Sequence, residues 1–533
     1  MALWFSRDEF TEEERKLLER HFTNVEGPVF ALVNLPEVVK GALFARYSRS
    51  PKSVRRLFLD EFAEAASTGA MAEVGTQHAE ELYERIFVEY GDDSVAQLGG
   101  VHLACEQASQ LLCKVLEWGR LAAYLEQSTR YVPYDDKPGD RWRYAVPPEI
   151  EGTSLAARYA EVLDDAFETY HRWMEPMQEF FRALYPQEPG DSDFVYRSTI
   201  RAKACDTLRG MLPAATKSNV GVFATGQAYE QMLLRMRAHP LAEVREYSGL
   251  ILTELRKVIP AFLTRVDVPD RGGAWTEYLA ETASRTREAA RVVEGLAAEP
   301  RPEVTLTDFD PEGEIKLVAA ALYAASNLPD DQLLAAARAM DEAERAAVLS
   351  AYVGDRRNRR HRPGRAFERP SYRFDVLCDY GAFRDLQRHR LLTIEWQLLS
   401  PDNGYDTPPV IEPSGCLEDW MRVMEASGAL HDDLKAEGHF DAAQYAVAMA
   451  HRVRFVMQMN AREAMHLTEL RSTPQGHPAY RRVAQEMHRL IGEGAGHRAI
   501  AAAMKFVDHS DVELERLEAE RRTEAKRRAL EGR

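Results

Sequence analysis

Several things are scarce in this 533-residue sequence, and each scarcity excludes something. Cysteine is rare: Cys105, Cys113, Cys205, Cys378 and Cys416 are scattered and form no C-x-x-C pair. Neither a disulfide framework nor a zinc site is indicated, and a reducing compartment fits best. Long apolar runs are missing. The longest, around "LVAAALYAA" from Leu317, falls far short of the ~20 residues that span a bilayer. The first residues, "MALWFSRDEFTEEERK", become charged too soon to read as a signal peptide. Positive charge is not in excess. A formal net charge of −17 and a pI near 5.5 argue against coating nucleic acid or an anionic membrane. There is no P-loop, no strand-linked G-x-G-x-x-G and no G-x-S-x-G. The expectation is a cytoplasmic protein with no membrane, nucleic-acid or metal partner, in which a local arginine cluster catches any anionic ligand.

What the chain does have is helical pattern. Thr11 and Glu14 form a capping box opening "TEEERKLLERHF". "EIKLVAAALYAAS" and "DDQLLAAARAMDEAERAAVL" have Ala- and Leu-rich helical spacing, and the final run from Ser510 reads as a charged, exposed helix. Strand-like pieces are short: "YRFDVL" before Cys378 and "GVHLA" before Cys105. These predict an α+β fold, mainly helical, with one modest sheet per domain.

The chain also repeats itself at a period near 270–280 residues. "KGALFARYSRSP", ending at Pro51, resembles "VAAALYAASNLP", ending at Pro329. Setting Arg120 against Arg390 places Cys113, Leu116 and Tyr124 on Phe383, Leu386 and Ile394. "RMRAHPLAEVREYSGLI" and "ELRSTPQGHPAYRRVAQEMHRLI" both carry an arginine shortly before His-Pro and a helical tail. Three matches in one order indicate a duplication. Its linker would be the Pro-, Glu- and Thr-rich stretch from Ala297 to Glu314.

Arginines supply the candidate chemistry. In "DYGAFRDLQRHRLLTIEWQ" a helix from Asp379 to Gln397 would put Arg390 on the face of Phe383, Leu386 and Ile394. A guanidinium cannot lose its charge, so on a buried face it needs an anion, either a ligand or an internal carboxylate such as Asp379 or Asp385. Beside Arg388 and Arg390 stand Arg462 and Arg471 in "MNAREAMHLTELR", which also holds Asn460 and His466. "YLEQSTRYVPY" offers Glu126, Ser128, Arg130 and Tyr131, and "TLRGMLP" offers Arg209. The bland readings are an i,i+4 surface pair for Glu126 and Arg130, and a satisfied structural histidine for His389. The run "RRNRRHRPGR" from Arg356 reads as a solvated loop.

These runs resemble the flavin-dependent thymidylate synthases, the ThyX family, twice in tandem, over most of residues 35–265 and 312–500. "YGDDSVAQLGG" resembles the family's "GHxSxxEH", "WGRLAAYLEQSTRY" its "RHRxxxYxxQSxRY", and "LRGMLP" its "ARxxLP". In the second half "RHR" stands intact at Arg388-His389-Arg390, and "MNAREAMHLTELR" resembles "NARxLxxFLxLR". Each half has lost what the other keeps. Trp118 and Gly119 replace the first two members of RHR in the first half, where Thr225-Gly226-Gln227 stands for Asn-Ala-Arg. Trp396, Leu398 and Ser400 replace Glu, Ser and Arg in the second, where Gln444 replaces the arginine before "LP".

The resemblance implies domains at 1–296 and 315–510, a linker at 297–314 and a charged helical tail at 511–533. It implies an FAD protein that reductively methylates dUMP to dTMP with methylenetetrahydrofolate and NADPH. Its pocket would be composite, joining RHR of one half to S-x-R of the other, while the opposite pocket, at Trp118 and Leu398, would be dead. Arg471 would activate the substrate; Glu126, Ser128, Arg130, Arg388 and Arg209 would bind the nucleotide. His389, Arg390, Asn460, Arg462 and His466 would line the flavin. A homodimer would restore the family's four-domain assembly. The alternative is a non-catalytic descendant that binds a nucleotide or flavin or serves a structural role. A flavoprotein acting on another substrate is a third reading.

Overall fold

The computed structural model describes residues 8–28, 30–47, 50, 52–67, 97–514 and 516–531. The fold is α+β and mainly helical. Strands β1 (Gly100–Ser109), β2 (Ala122–Glu126) and β3 (Lys217–Thr225) form a three-stranded sheet in the order β1-β3-β2. Strands β4 (Val304–Phe309), β5 (Ser371–Asp379), β6 (Thr393–Trp396) and β7 (Arg452–Asn460) form a second sheet, ordered β4-β5-β7-β6 and antiparallel throughout. Alternation builds these strands: Val453, Phe455, Met457 and Met459 of β7 are buried, while the residues between them are more exposed. The capping box at Thr11 and Glu14 is present.

The duplication is visible as matched pairs of elements. Helices Glu37–Tyr47 and Gly313–Tyr323 have eleven residues each. Helices Gln110–Leu116 and Tyr380–Leu386 have seven each and stand 270 positions apart, the register in which Arg120 meets Arg390. Both are capped in the same way. Ser109 Oγ accepts from Leu112 N at 3.0 Å, and Asp379 Oδ1 from Ala382 N at 2.9 Å. Strands β3 and β7 have nine residues each and run into helices capped by Thr225 and Asn460. His239 and His477 each accept from the amide two residues on, at 3.2 Å.

The chain divides into two compact units that cut across the sequence halves. One comprises residues 1–106, 121–126 and 219–295; the other comprises 107–120, 127–218 and 296–533. Backbone pairing explains why the second unit takes in so much of the first half. Pro213 bridges Ala448 antiparallel; Ala214 N donates to Val447 O at 2.8 Å and Met449 N to Leu212 O at 2.9 Å. Tyr380 Oη donates to Gln110 O at 3.1 Å, and Gln387 Nε2 to Lys114 O at 2.8 Å. The "LP" segments and the helices before the two RHR positions thus pair with each other inside one unit.

Three expectations need correction. The helix from Asp379 does not continue to Gln397. It ends at Leu386, and the chain turns into β6, where Thr393 and Ile394 pair with Gln458 and Met457 of β7. Strand pairing by β-branched residues outweighs the helical period, and Arg390 is exposed rather than on a buried face. The stretch expected as linker contains β4, which pairs with β5. Finally, Arg356 is not a solvated arginine. It is 2% exposed and makes a two-point pair with Glu469 at 2.7 and 2.6 Å, although Arg357 and Arg360 of the same run are exposed. Residues 90–96 of the "GHxSxxEH"-like element lie outside the described residues.

Candidate functional site

The second unit gathers four of the expected arginines around two carboxylates. Asp385, on the Tyr380–Leu386 helix, pairs with Arg388; Arg471 Nη1 lies 3.7 Å and Arg209 Nη1 3.8 Å from its oxygens. Arg130 is held by Asp206, with Nε and Nη2 each 2.7 Å from a carboxylate oxygen, and donates from Nη1 to Tyr480 Oη at 2.8 Å. Arg130, Arg209, Asp206 and Asp385 are all buried. Asp385, one of the internal carboxylates offered for Arg390, is at the centre of these other arginines instead.

Among the described residues, the guanidinium groups outnumber the carboxyls there. Four guanidinium groups face Asp206 and Asp385, and the third carboxyl, Asp379, is pushed up by burial to about 6. Burial opposes ionisation of Asp385 as well, but Arg388, Arg471, Arg130 and Arg209 hold it well below the ordinary carboxylate range. Asp206, likewise opposed by burial, is brought down to about 2 by Arg130. Burial pulls Arg209 and Arg471 downward, as expected of cations taken from water without full compensation. Arg209 Nη2 has no hydrogen-bond partner among the described residues.

A second chain of contacts orients Arg471. Its Nε donates to His389 Nε2 at 3.0 Å, and His389 Nδ1 meets Glu463 Oε1 at 2.8 Å. Arg471 can only donate, so His389 Nε2 accepts and the ring proton sits on Nδ1, directed at Glu463. Burial lowers His389 to about 4, keeping it neutral. Burial opposes the charge on Glu463, but hydrogen bonds from His389 and His466 bring it down to about 2. The ligand-type atoms of His389, Glu463 and His466 lie within 4.8 Å of one another, as in a metal site. Metallation at Nδ1 would move the ring proton to Nε2, opposite the Arg471 N–H, so the observed bond favours the proton-bound state.

The other expected residues are placed differently. Ser128 Oγ accepts from Arg130 N at 3.2 Å. Glu126 ends β2, in the first compact unit. Asn460 caps the Ala461–Arg471 helix by accepting from Glu463 N at 2.9 Å. Arg462 is half-buried, donating from Nε to Pro363 O at 3.1 Å with Glu368 3.6 Å away. Gln444 is committed to the fold: its Oε1 accepts from Leu399 N at 3.1 Å and its Nε2 donates to Asp441 O at 3.0 Å. At the position expected to be dead, Trp118 meets Trp396 edge-on, ring centroids 5.9 Å apart, and Leu398 is exposed.

Sequence reasoning missed Asp206, Glu463 and Tyr480. Asp206 lies three residues before Arg209 and Glu463 three before His466, a spacing that puts each pair on one helical face. Tyr480 carries no comparable local signal.

A family model described as "Thymidylate synthase complementing protein" (Thy1) matches residues 42–261 and 305–495. A UPF0159 protein of Chlamydia muridarum is 37% identical over 527 residues, covering 97% of this chain and 99% of that one. A UPF0159 protein of Thermoplasma acidophilum is 31% identical over 513 residues, covering 91% and 99%. A flavin-dependent thymidylate synthase of Clostridium tetani is 24% identical over 178 residues, 33% of this chain and 66% of that one. Among solved structures, the UMP/dUMP methylase PolB of Streptomyces cacaoi, bound to 5-Br dUMP, matches with a TM-score of 0.30 at 18% identity, covering 40% of this chain and all of that one. The two matched segments take in well over half of the sequence, and the chain belongs to the Thy1 (ThyX) thymidylate synthase complementing protein family.

Proposed function

We propose that the protein is an FAD-dependent, thymidylate synthase-like enzyme that converts dUMP to dTMP with methylenetetrahydrofolate and NADPH. The observation that carries this reading is the gathering of four guanidinium groups, Arg130 and Arg209 buried and Arg388 and Arg471 half-buried, around Asp206 and Asp385. Four guanidinium groups outnumber the carboxyls of Asp206, Asp385 and Asp379, whose own ionisation burial opposes, and this suits the negative charge of a nucleotide phosphate. The arginine lost at Gln444 has a substitute, because Arg209 of the first half stands beside Asp385. Arg130, Arg209 and Arg388 bind and orient the phosphate, with Ser128 beside Arg130. Arg471, fixed by His389, stabilises negative charge developing on the pyrimidine ring.

The residues matched to flavin positions fit a dinucleotide in part. Arg390 is exposed and Arg462 half-buried, so both present guanidinium groups that a pyrophosphate can reach. His389 is closed on both ring nitrogens and acts through Arg471 instead. When bound, the flavin supplies hydride transfer, and the protein supplies position and electrostatics. We place the protein in the cytoplasm as a homodimer with four domains.

A non-catalytic descendant is the second reading, favoured by the closed Arg130–Asp206 pair and by Trp118 packed on Trp396. The visible absorption spectrum of purified protein with added FAD, with and without dUMP, separates the two. A flavin band that shifts with dUMP supports the enzyme, and turnover assays follow. No retained flavin under any condition leaves the descendant.

A further inference from the structure

Residues 356–365 carry six arginines, one histidine and no carboxylate, in a chain whose net charge is −17. The proposed reaction gives this run no task, yet the fold holds it as a closed loop. Buried Arg356 donates from Nε to His361 O at 2.5 Å, while its other two nitrogens grip Glu469 and Ala503 O. His361 N donates back to Asn358 O at 3.0 Å, and Arg360 N to Asn358 Oδ1 at 2.9 Å. Arg357, Arg360 and Arg362 are exposed on this loop and Arg359 is half-buried.

Few of these charges are answered within the protein. Two carboxylates border the loop. Asp355 lies 3.6 Å from Arg357 and 3.7 Å from Lys505; Glu368 accepts from Arg365 at 3.0 Å and lies 3.6 Å from Arg462. Arg359, Arg360 and Arg362 have no carboxylate partner among the described residues. Like charges held together on a tight turn repel one another, and a ligand with several negative charges relieves that repulsion. The length of such a ligand is bounded. The rest of the chain is acidic and repels a polyanion that extends more than about 8–10 Å, the screening distance, beyond the patch. A short chain of carboxylates therefore fits better than a nucleic acid or a membrane. The loop also abuts the helix that carries Arg471. Pro363 O accepts from Arg462 Nε at 3.1 Å, at the start of the Ala461–Arg471 helix. Arg471 follows about 13.5 Å further along that helix axis.

We propose that residues 357–362 bind the γ-linked glutamyl tail of the folate co-substrate. Carboxylates of successive glutamates pair with Arg359, Arg360 and Arg362, and the pterin end reaches along the helix toward Arg471. The inference rests on the thymidylate synthase reading for the folate, but it uses none of the arginines assigned there to nucleotide or flavin.

The test is isothermal titration of the full-length protein with free penta-γ-glutamate, with monoglutamyl folate and with pentaglutamyl folate. The free peptide should bind with a dissociation constant below about 1 mM in about 50 mM salt, and several-fold more weakly in about 200 mM salt. Pentaglutamyl folate should bind about tenfold more tightly than monoglutamyl folate. The triple variant Arg359→Gln/Arg360→Gln/Arg362→Gln should lose peptide binding and that tenfold difference, with monoglutamyl folate and circular dichroism unchanged. Should the triple variant misfold, Arg360→Gln/Arg362→Gln, at the two exposed positions, should lose most of the difference. No heat with the peptide overturns the proposal, even if the flavin spectrum responds to dUMP. A short oligothymidylate that binds more tightly than the peptide and displaces it also overturns it, by assigning the loop to nucleic acid. Peptide binding with neither folate bound overturns the assignment to folate together with the thymidylate synthase reading, and leaves the loop as a site for another polycarboxylate.

Discussion

Arg471 donates its Nε–H to His389 Nε2 at 3.0 Å, and this bond exists in that form because Glu463 takes the proton on the other ring nitrogen. Glu463 is thus a positioning residue for Arg471. Glu463→Gln keeps an acceptor for the His389 Nδ1–H and should leave dUMP affinity within about threefold of wild type, a difference below ~1 kcal/mol. Glu463→Leu leaves the ring proton free to move to Nε2, against Arg471, and should weaken dUMP about tenfold. Titrations of both variants, with ¹⁵N spectra to report the His389 tautomer, check this. Equal affinities in the two variants with a changed tautomer in Glu463→Leu would remove the positioning role.

Arg130 is expected to matter for stability as well as for binding. Arg130→Ala strands Asp206 in a buried site and should cost about 3–5 kcal/mol. Urea unfolding of Arg130→Ala and of the double variant Arg130→Leu/Asp206→Leu checks it, and the double variant should recover most of the loss.

The basic run from Arg356 should show a sharp internal contrast. Arg356→Ala breaks the two-point pair with Glu469 and a bond to Ala503 O at 2.6 Å, and should cost about 3–5 kcal/mol. Arg357→Ala and Arg360→Ala, both at exposed positions, should fall within about 0.5 kcal/mol of wild type. Urea midpoints of the three variants decide it.

Acidification should destabilise the protein before its carboxylates titrate. Burial holds His389 and His451 near 4, against 6.5 for the free side chain, and pushes His477 well below its ordinary value. Between those values the unfolded chain binds more protons than the folded one, so stability present above pH 6.5 is lost as pH falls toward 4. Asp379 works the other way. Its folded value near 6 lies above the ordinary 3.8, so its contribution is present below 3.8 and is lost as pH rises through 6. Asp379→Asn, which keeps an acceptor for Ala382 N, should make the loss on acidification steeper. Urea midpoints from pH 7.5 down to about 4.5, a range spanning the ordinary histidine value, give the slope of each protein.

Much of this was legible in the sequence because it is local. The three repeat matches needed only residue spacing. Each appears as a pair of elements, down to the seven-residue helices before Arg120 and Arg390 and the caps at Thr225 and Asn460. The α+β class followed from helical pattern and two short alternating runs. The grouping of Arg388, Arg471, Arg209 and Arg130 followed from the family resemblance, since their separation along the chain gives no hint of proximity.

What the sequence by itself determined is therefore the duplication, the elements, the family and the stock of arginines. Tertiary structure alone decided their use. Amphipathic period put Arg390 in the core, but pairing of Thr393 and Ile394 with β7 ended the helix at Leu386 and left Arg390 exposed. Which carboxylate meets which arginine depended on the antiparallel pairing of residues 210–215 with residues 445–450, which brings Arg209 to Asp385. Charge balance in a buried site is a sum over groups from distant parts of the chain. A linear sequence contains every term of that sum, but only the fold says which of them are added together.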